Sequence, residues 1–129
     1  MTNHGGRALD HARGAMEILP EVVEVVKGKM PIIIDGAFYR ATDVLKAIAM
    51  GATAVGIGRL YCYALAAAGR PGIVRMLELL EDEMKRDLGL MGCESAKKLD
   101  KSYVCPAMPV RTADVFSAYH LGDYKHEPY

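Results

Sequence analysis

The sequence predicts an α/β fold in which short parallel strands alternate with helices, and three observations carry that prediction. Two brief runs of β-branched and small apolar residues, Pro31-Ile32-Ile33-Ile34 and Ala54-Val55-Gly56-Ile57, each lead into a turn containing glycine. Helical periodicity follows each run and also precedes the first. Strands without polar alternation are what a sheet buried on both faces by helices requires.

The first helix is predicted by Ala15, Ile18, Leu19, Val22, Val23 and Val26 on one face, with Glu17, Glu21 and Glu24 opposite and Gly28 as a stop. Pro31 to Asp35-Gly36 then reads as a buried strand ending in a carboxylate and a turn. Thr42 is the expected N-cap of a second helix carrying Val44, Leu45, Ile48 and Ala49 and ending at Gly51. The second strand, Ala54 to Ile57, opens into Gly58-Arg59. Helical pattern runs from Leu60 to Ala68, breaks at Gly69-Arg70-Pro71-Gly72, and resumes from Ile73 to about Leu88 with Val74, Leu77, Leu80 and Met84 on one face. This order is βαβα. From Cys93 the periodicity fades and Pro106, Pro109 and Pro128 appear, so residues 1–92 are expected to form the βα units and 93–129 an extended tail that packs on some surface, the bland alternative being a mobile tail.

Of 129 residues, 51% are hydrophobic, and 16 basic residues balance 16 acidic ones, which describes a globular protein with no basic stripe for nucleic acid. The longest apolar stretch, Ala47 to Ile57, is interrupted by glycines and falls short of the roughly 20 residues of a membrane span. No basic segment followed by an apolar core opens the chain, so no secretory signal is expected. Cys62, Cys93 and Cys105 lack metal-ligand spacing and are expected to be reduced thiols of a cytoplasmic protein, with no metal site.

Two constellations carry chemistry. A parallel α/β sheet gathers ligands at the carboxyl ends of its strands, where Gly36, Gly56 and Gly58 let backbone N–H groups approach a phosphate and Arg59 adds a charged donor at a helix N-terminus. Read blandly, Gly36 is a turn residue and Arg59 a surface charge. At the start of the chain, Thr2-Asn3-His4-Gly5-Gly6-Arg7 sets an imidazole three residues from a guanidinium. An imidazole titrates near neutral pH and suits a general base, and a guanidinium grips a carboxylate bidentately. The bland alternative is that His4 caps a loop while Arg7 pairs with Asp10 or Asp35. His11, His120 and His126 lack such context, and the run from Glu78 to Asp87 reads as a solvated helix face.

In order, Asn3-His4-Gly5-Gly6-Arg7 with Asp10, Leu19-Pro20-Glu21-Val22-Val23, Asp35-Gly36 with Arg40, Thr42, Asp43 and Val44, Lys46-Ala47, Gly51-Ala52, Ile57-Gly58-Arg59, Gly72-Ile73 and Leu90-Met91-Gly92-Cys93 closely resemble the FMN-dependent α-hydroxy acid dehydrogenase/oxidase family. The resemblance runs from residue 2 to about residue 100. It implies the C-terminal portion of a (β/α)8 barrel that binds FMN, with two barrel strands, their helices and the tail. By resemblance His4 is the catalytic base, Arg7 grips the carboxylate of a small L-2-hydroxy acid, and Asp35, Gly36, Ala37, Tyr39, Arg40, Gly58 and Arg59 bind the cofactor, the flavin supplying the redox chemistry.

Two departures stand out. Where the family reads Asp-Gly-Gly-x-Arg-Arg-Gly, this chain reads Asp35-Gly36-Ala37-Phe38-Tyr39-Arg40-Ala41. Tyr39 thus replaces a cation that contacts phosphate, a loss of about 1.5–3 kcal/mol unless Arg40 or Arg59 compensates. Ala37 is expected to close off the positive φ that a glycine allows. The second departure is length, since a whole barrel takes about 250 residues. The flavin-ring residues, the substrate-facing tyrosines and the aspartate that orients the base are expected upstream of Met1. The chain is therefore expected to work with that N-terminal part or with another copy as a homo-oligomer, isolated chains being inactive. A non-catalytic half-barrel that self-associates or binds a phosphate-bearing ligand is the alternative.

Overall fold

The structure, a computed structural model, describes residues 1, 2, 4, 8–10 and 12–107. Asn3, Gly5, Gly6, Arg7 and His11 lie outside the described residues, as does the part of the expected tail from Met108 onward, with His120 and His126.

Helix α1 spans Ala15–Val26, and its start is held by the Glu17 carboxylate, which accepts the Gly14 N–H at 3.0 Å. Leu19 is fully buried on its inner face, and Lys27 and Gly28 end it in left-handed conformations with φ of 49° and 73°. Strand β1, Ile33–Asp35, pairs in parallel with β2, Ala54–Gly56, in the register Ile33↔Ala54, Ile34↔Val55 and Asp35↔Gly56. Between them lies α2, Ala41–Ala49. Thr53 closes the base of the sheet, its hydroxyl accepting the Ile32 N–H at 3.0 Å while its own N–H donates to the Ile32 carbonyl at 2.8 Å.

Along its other edge β1 is flanked by the first residue. The amino group of Met1 donates to the Ile33 carbonyl at 2.6 Å and the Asp35 N–H donates to the Met1 carbonyl at 3.0 Å, as a neighbouring strand would bond.

Leu19, Ile32, Ile34, Phe38 and Ala47 form one core between α1, β1 and α2. A second unites Leu45 and Ala49 of α2 with Cys93 and Leu99, so the beginning of the expected tail, with 3-10 turns at Ala96–Lys98 and Lys101–Tyr103, packs on the α/β unit. Burial of β1 on both faces does not hold among the described residues: Ile34 is buried, whereas Ile33 is 57% exposed, because helices cover one face of the sheet and nothing described covers the other.

Helix α3, Arg59–Leu90, is two helices joined at Ala68 and Gly69, and Gly69 has φ 59° and ψ −145°, a conformation essentially confined to glycine. The predicted break is therefore present, and Pro71 sits in the first turn of the second segment, where its missing N–H costs little. Gly72 is needed for a different reason: a Cβ there would lie 2.1 Å from the Ala64 carbonyl oxygen, so the segments cross at backbone contact. Of the expected inward face of the second segment, Leu80 and Met84 are half-buried, with Met84 packed on the second core, but its N-terminal part differs from expectation. Met76 is buried, while Val74 and Leu77 are 49% and 52% exposed, because the crossing at Gly72 turns Met76 and Glu83 toward the rest of the fold.

Candidate functional site

Beyond the carboxyl ends of β1 and β2 opens a cleft of about 700 Å3, lined by His4, by Asp35 to Tyr39 and by Gly56 to Leu60. The ladder sets its floor, since Asp35 and Gly56 are register partners. A Cβ on Gly56 would approach the Asp35 Cβ to 3.1 Å, so glycine lets the two turns leave the sheet side by side. The Met1 bonds to β1 carry the start of the chain to the same end, which brings the exposed His4 to the cleft.

The first wall is the turn from Gly36 to Tyr39. Ala37 adopts φ 60°, a correction to the expectation that alanine excludes positive φ: closure of the turn between the buried Ile34 and Phe38 overrides the local preference. Its end is fastened by Asp43, whose carboxylate accepts the N–H of Tyr39 at 3.2 Å and of Arg40 at 3.0 Å. Asp43, three residues into the capping unit, thus fills the role expected of Thr42, and Thr42 lies inside the helix.

The second wall is Ile57-Gly58-Arg59, where Gly58 caps α3 and Arg59 is its first residue. A Cβ on Gly58 would meet nothing within 4 Å, so the space above this helix N-terminus is open. Exposed N–H groups there attract anions. The Arg59 guanidinium lies 5.7 Å from the centroid of the Tyr39 ring, joining the walls through a cation–π contact. Glycine turns, a helix N-terminus and an arginine around open space fit the phosphate end of a nucleotide-like cofactor.

Arg40 goes elsewhere. Its guanidinium pairs with Glu83, with Nε 2.7 Å from the carboxylate, whose other oxygen accepts the Ala41 N–H at 2.9 Å. Glu83, read from the sequence as one charge of a solvated face, is therefore a link between α3 and the start of α2. The Arg40 bond, followed by the Ala41 N–H, holds its carboxyl below the usual glutamate range. Of the expected site residues, His4, Asp35, Gly36, Ala37, Tyr39, Gly58 and Arg59 line one cleft, Arg40 borders a neighbouring groove, and Arg7 lies outside the described residues. Phe38, Ile57 and Leu60 also line the cleft, and the sequence does not mark them as site residues, since nothing distinguishes a site-facing apolar residue before the turns are folded. Among the described residues no group of His, Cys, Asp and Glu is arranged to hold a metal ion, and no helix is long and apolar enough to cross a membrane.

Residues 1–106 match the sequence profile of the FMN-dependent dehydrogenases. The chain is 41% identical over 104 residues to a peroxisomal (S)-2-hydroxyacid oxidase of Arabidopsis thaliana, covering 81% of this chain and 29% of that protein. It is 46% identical over 99 residues to an L-lactate oxidase of Lysinibacillus sphaericus, covering 77% and 26%. A solved mandelate oxidase superposes with a TM-score of 0.71 at 47% identity, covering 77% of this chain and 31% of that one. The chain thus spans 26–31% of the length of these relatives.

Proposed function

The chain belongs to the FMN-dependent dehydrogenase family, and from that premise we propose that it supplies the base and the cofactor-phosphate end of a site that oxidises small L-2-hydroxy acids to 2-oxo acids. The observation that carries this reading is the convergence of His4, both glycine turns and Arg59 on one cleft at the carboxyl ends of parallel strands. In it the two strands are part of a (β/α)8 barrel whose remaining strands come from further polypeptide or from another copy.

FMN, when bound, supplies the two-electron acceptor. The chain's own residues do the rest. Gly36, Gly58 and the first turn of α3 offer N–H donors to the phosphate, and Arg59 neutralises its charge. Oxidation of the hydroxy acid removes two electrons and two protons, one proton leaving with the electron pair as a hydride equivalent. His4 takes the other, from the hydroxyl or the α-carbon, at an exposed position where the imidazole reaches substrate and solvent. Arg7, three residues on, grips the substrate carboxylate and so fixes which proton faces the base.

The uncovered Ile33 and the exposed Tyr63 favour a second reading, a non-catalytic half-barrel that self-associates or binds a phosphate-bearing ligand. Reconstitution with FMN of an assembly in which the barrel is completed, followed by anaerobic addition of glycolate, L-lactate or L-mandelate, separates the two. Loss of the oxidised-flavin absorbance in the wild type but not in His4→Ala supports the oxidase. FMN binding with no reduction by any of the three acids supports the second reading, and failure of that assembly to bind FMN overturns the oxidase.

A further inference from the structure

Tyr39 and Arg59 line the same cleft from opposite walls, with the guanidinium carbon 5.7 Å from the ring centroid. Arg59 is the one lysine or arginine among the described lining residues, and among the described residues no carboxylate is paired with it. Its side chain projects from the first residue of α3 and is exposed, so a free guanidinium there samples many rotamers. The ring opposite is better fixed. Tyr39 is half-buried, its N–H is held by the Asp43 carboxylate, and the preceding residue, Phe38, is buried in the core.

Deepening the reading above and resting on it, we infer that Tyr39 is a positioning residue whose ring face holds the Arg59 guanidinium at the phosphate end of the cleft, so that preference for the phosphorylated flavin depends on the ring and not on the phenol hydroxyl. A guanidinium lying over an aromatic face spends its π surface on the ring and keeps its in-plane N–H donors for an anion. Arg40, the nearest alternative cation in sequence, is occupied by Glu83. Tyr39 therefore acts on phosphate through Arg59.

The test compares wild type, Tyr39→Phe, Tyr39→Leu and Arg59→Ala in the full 129-residue chain, measuring FMN and riboflavin binding by flavin fluorescence and the Arg59 side-chain N–H resonances by NMR with and without inorganic phosphate. Tyr39→Phe is expected to match wild type throughout. Tyr39→Leu is expected to weaken FMN about two- to fivefold, the range of an exposed cation–π contact, with riboflavin unchanged and the ring-induced shift of the Arg59 resonances lost. Arg59→Ala removes the preference for FMN over riboflavin altogether. If Tyr39→Leu leaves both the FMN preference and the Arg59 resonances at wild-type values, or if Tyr39→Phe loses the preference as Tyr39→Leu does, the positioning role is wrong while the phosphate site stands. If Arg59→Ala binds FMN as wild type does, or wild type shows no preference for FMN, the phosphate site itself is wrong and the inference falls with it.

Discussion

Ala37→Gly is expected to stabilise the fold although it removes a methyl group. Ala37 holds φ 60° in the turn that forms one wall of the cleft, and its side chain is exposed. An L-residue in the left-handed region costs about 1–2 kcal/mol, because Cβ crowds the following carbonyl oxygen. Glycine has no such cost but loses more entropy from the unfolded chain, about 0.4–1 kcal/mol. An exposed methyl contributes little burial, so the difference is a net gain of about 0.5–1 kcal/mol, or roughly 2–4 °C in Tm for a chain of this size. Urea unfolding followed by circular dichroism, with the m-value unchanged, measures it. Ala37→Val sharpens the test, because a β-branched residue is still less tolerant of positive φ and is expected to destabilise. A lower urea midpoint for Ala37→Gly than for wild type would refute the strain argument.

Gly72→Ala places a Cβ 2.1 Å from the Ala64 carbonyl oxygen and is expected to cost about 1–3 kcal/mol or more as the crossing helices separate; wild-type urea stability contradicts that contact. Glu83 has its carboxyl lowered by Arg40, so the stability it contributes is present above the ordinary glutamate range and lost as pH falls through its folded value. Glu83→Gln should therefore be less stable at neutral pH and flatten the acid limb of stability against pH, and an acid limb identical to wild type counts against the link. In an assembly that turns over, His4→Ala should lower flavin reduction by several orders of magnitude, whereas Arg7→Lys should mainly raise the substrate concentration required, and stopped-flow reduction against substrate concentration separates the two.

The α/β alternation was legible because it rests on local signals. Gly28, Gly51 and the Gly69-Arg70-Pro71-Gly72 cluster stop helices for reasons that act within a few residues, and the two apolar runs had no helical period to compete with. What escaped depends on contacts distant in sequence. Thr42 and Asp43 are both cap-type residues, and only the path of the turn shows that the Asp43 carboxylate reaches back to Tyr39 and Arg40. Glu83 sits in a run of seven charges, and only the packing of α3 beside α2 selects it as the partner of Arg40 and Ala41. Val74 and Leu77 matched an apolar stripe, but the crossing enforced at Gly72 turns Met76 inward instead.

The expected site residues that meet do so largely through backbone, and this explains how the cleft carries an unusual residue at position 39. The parallel ladder sets Asp35 level with Gly56, the missing Cβ at Gly56 lets both turns leave together, and the Met1 bonds to Ile33 and Asp35 aim the chain start at the same end. None of these contacts uses the side chain of residue 37, 39 or 40. On the proposed reading, the frame keeps its shape while the phosphate end changes chemistry: the remaining cation of the cleft is Arg59, beside the Tyr39 ring of the facing turn, and Arg40 is joined to Glu83, linking α2 to α3. Moving charge among these positions should alter which anion is held and how tightly, and should leave the strand register where it is.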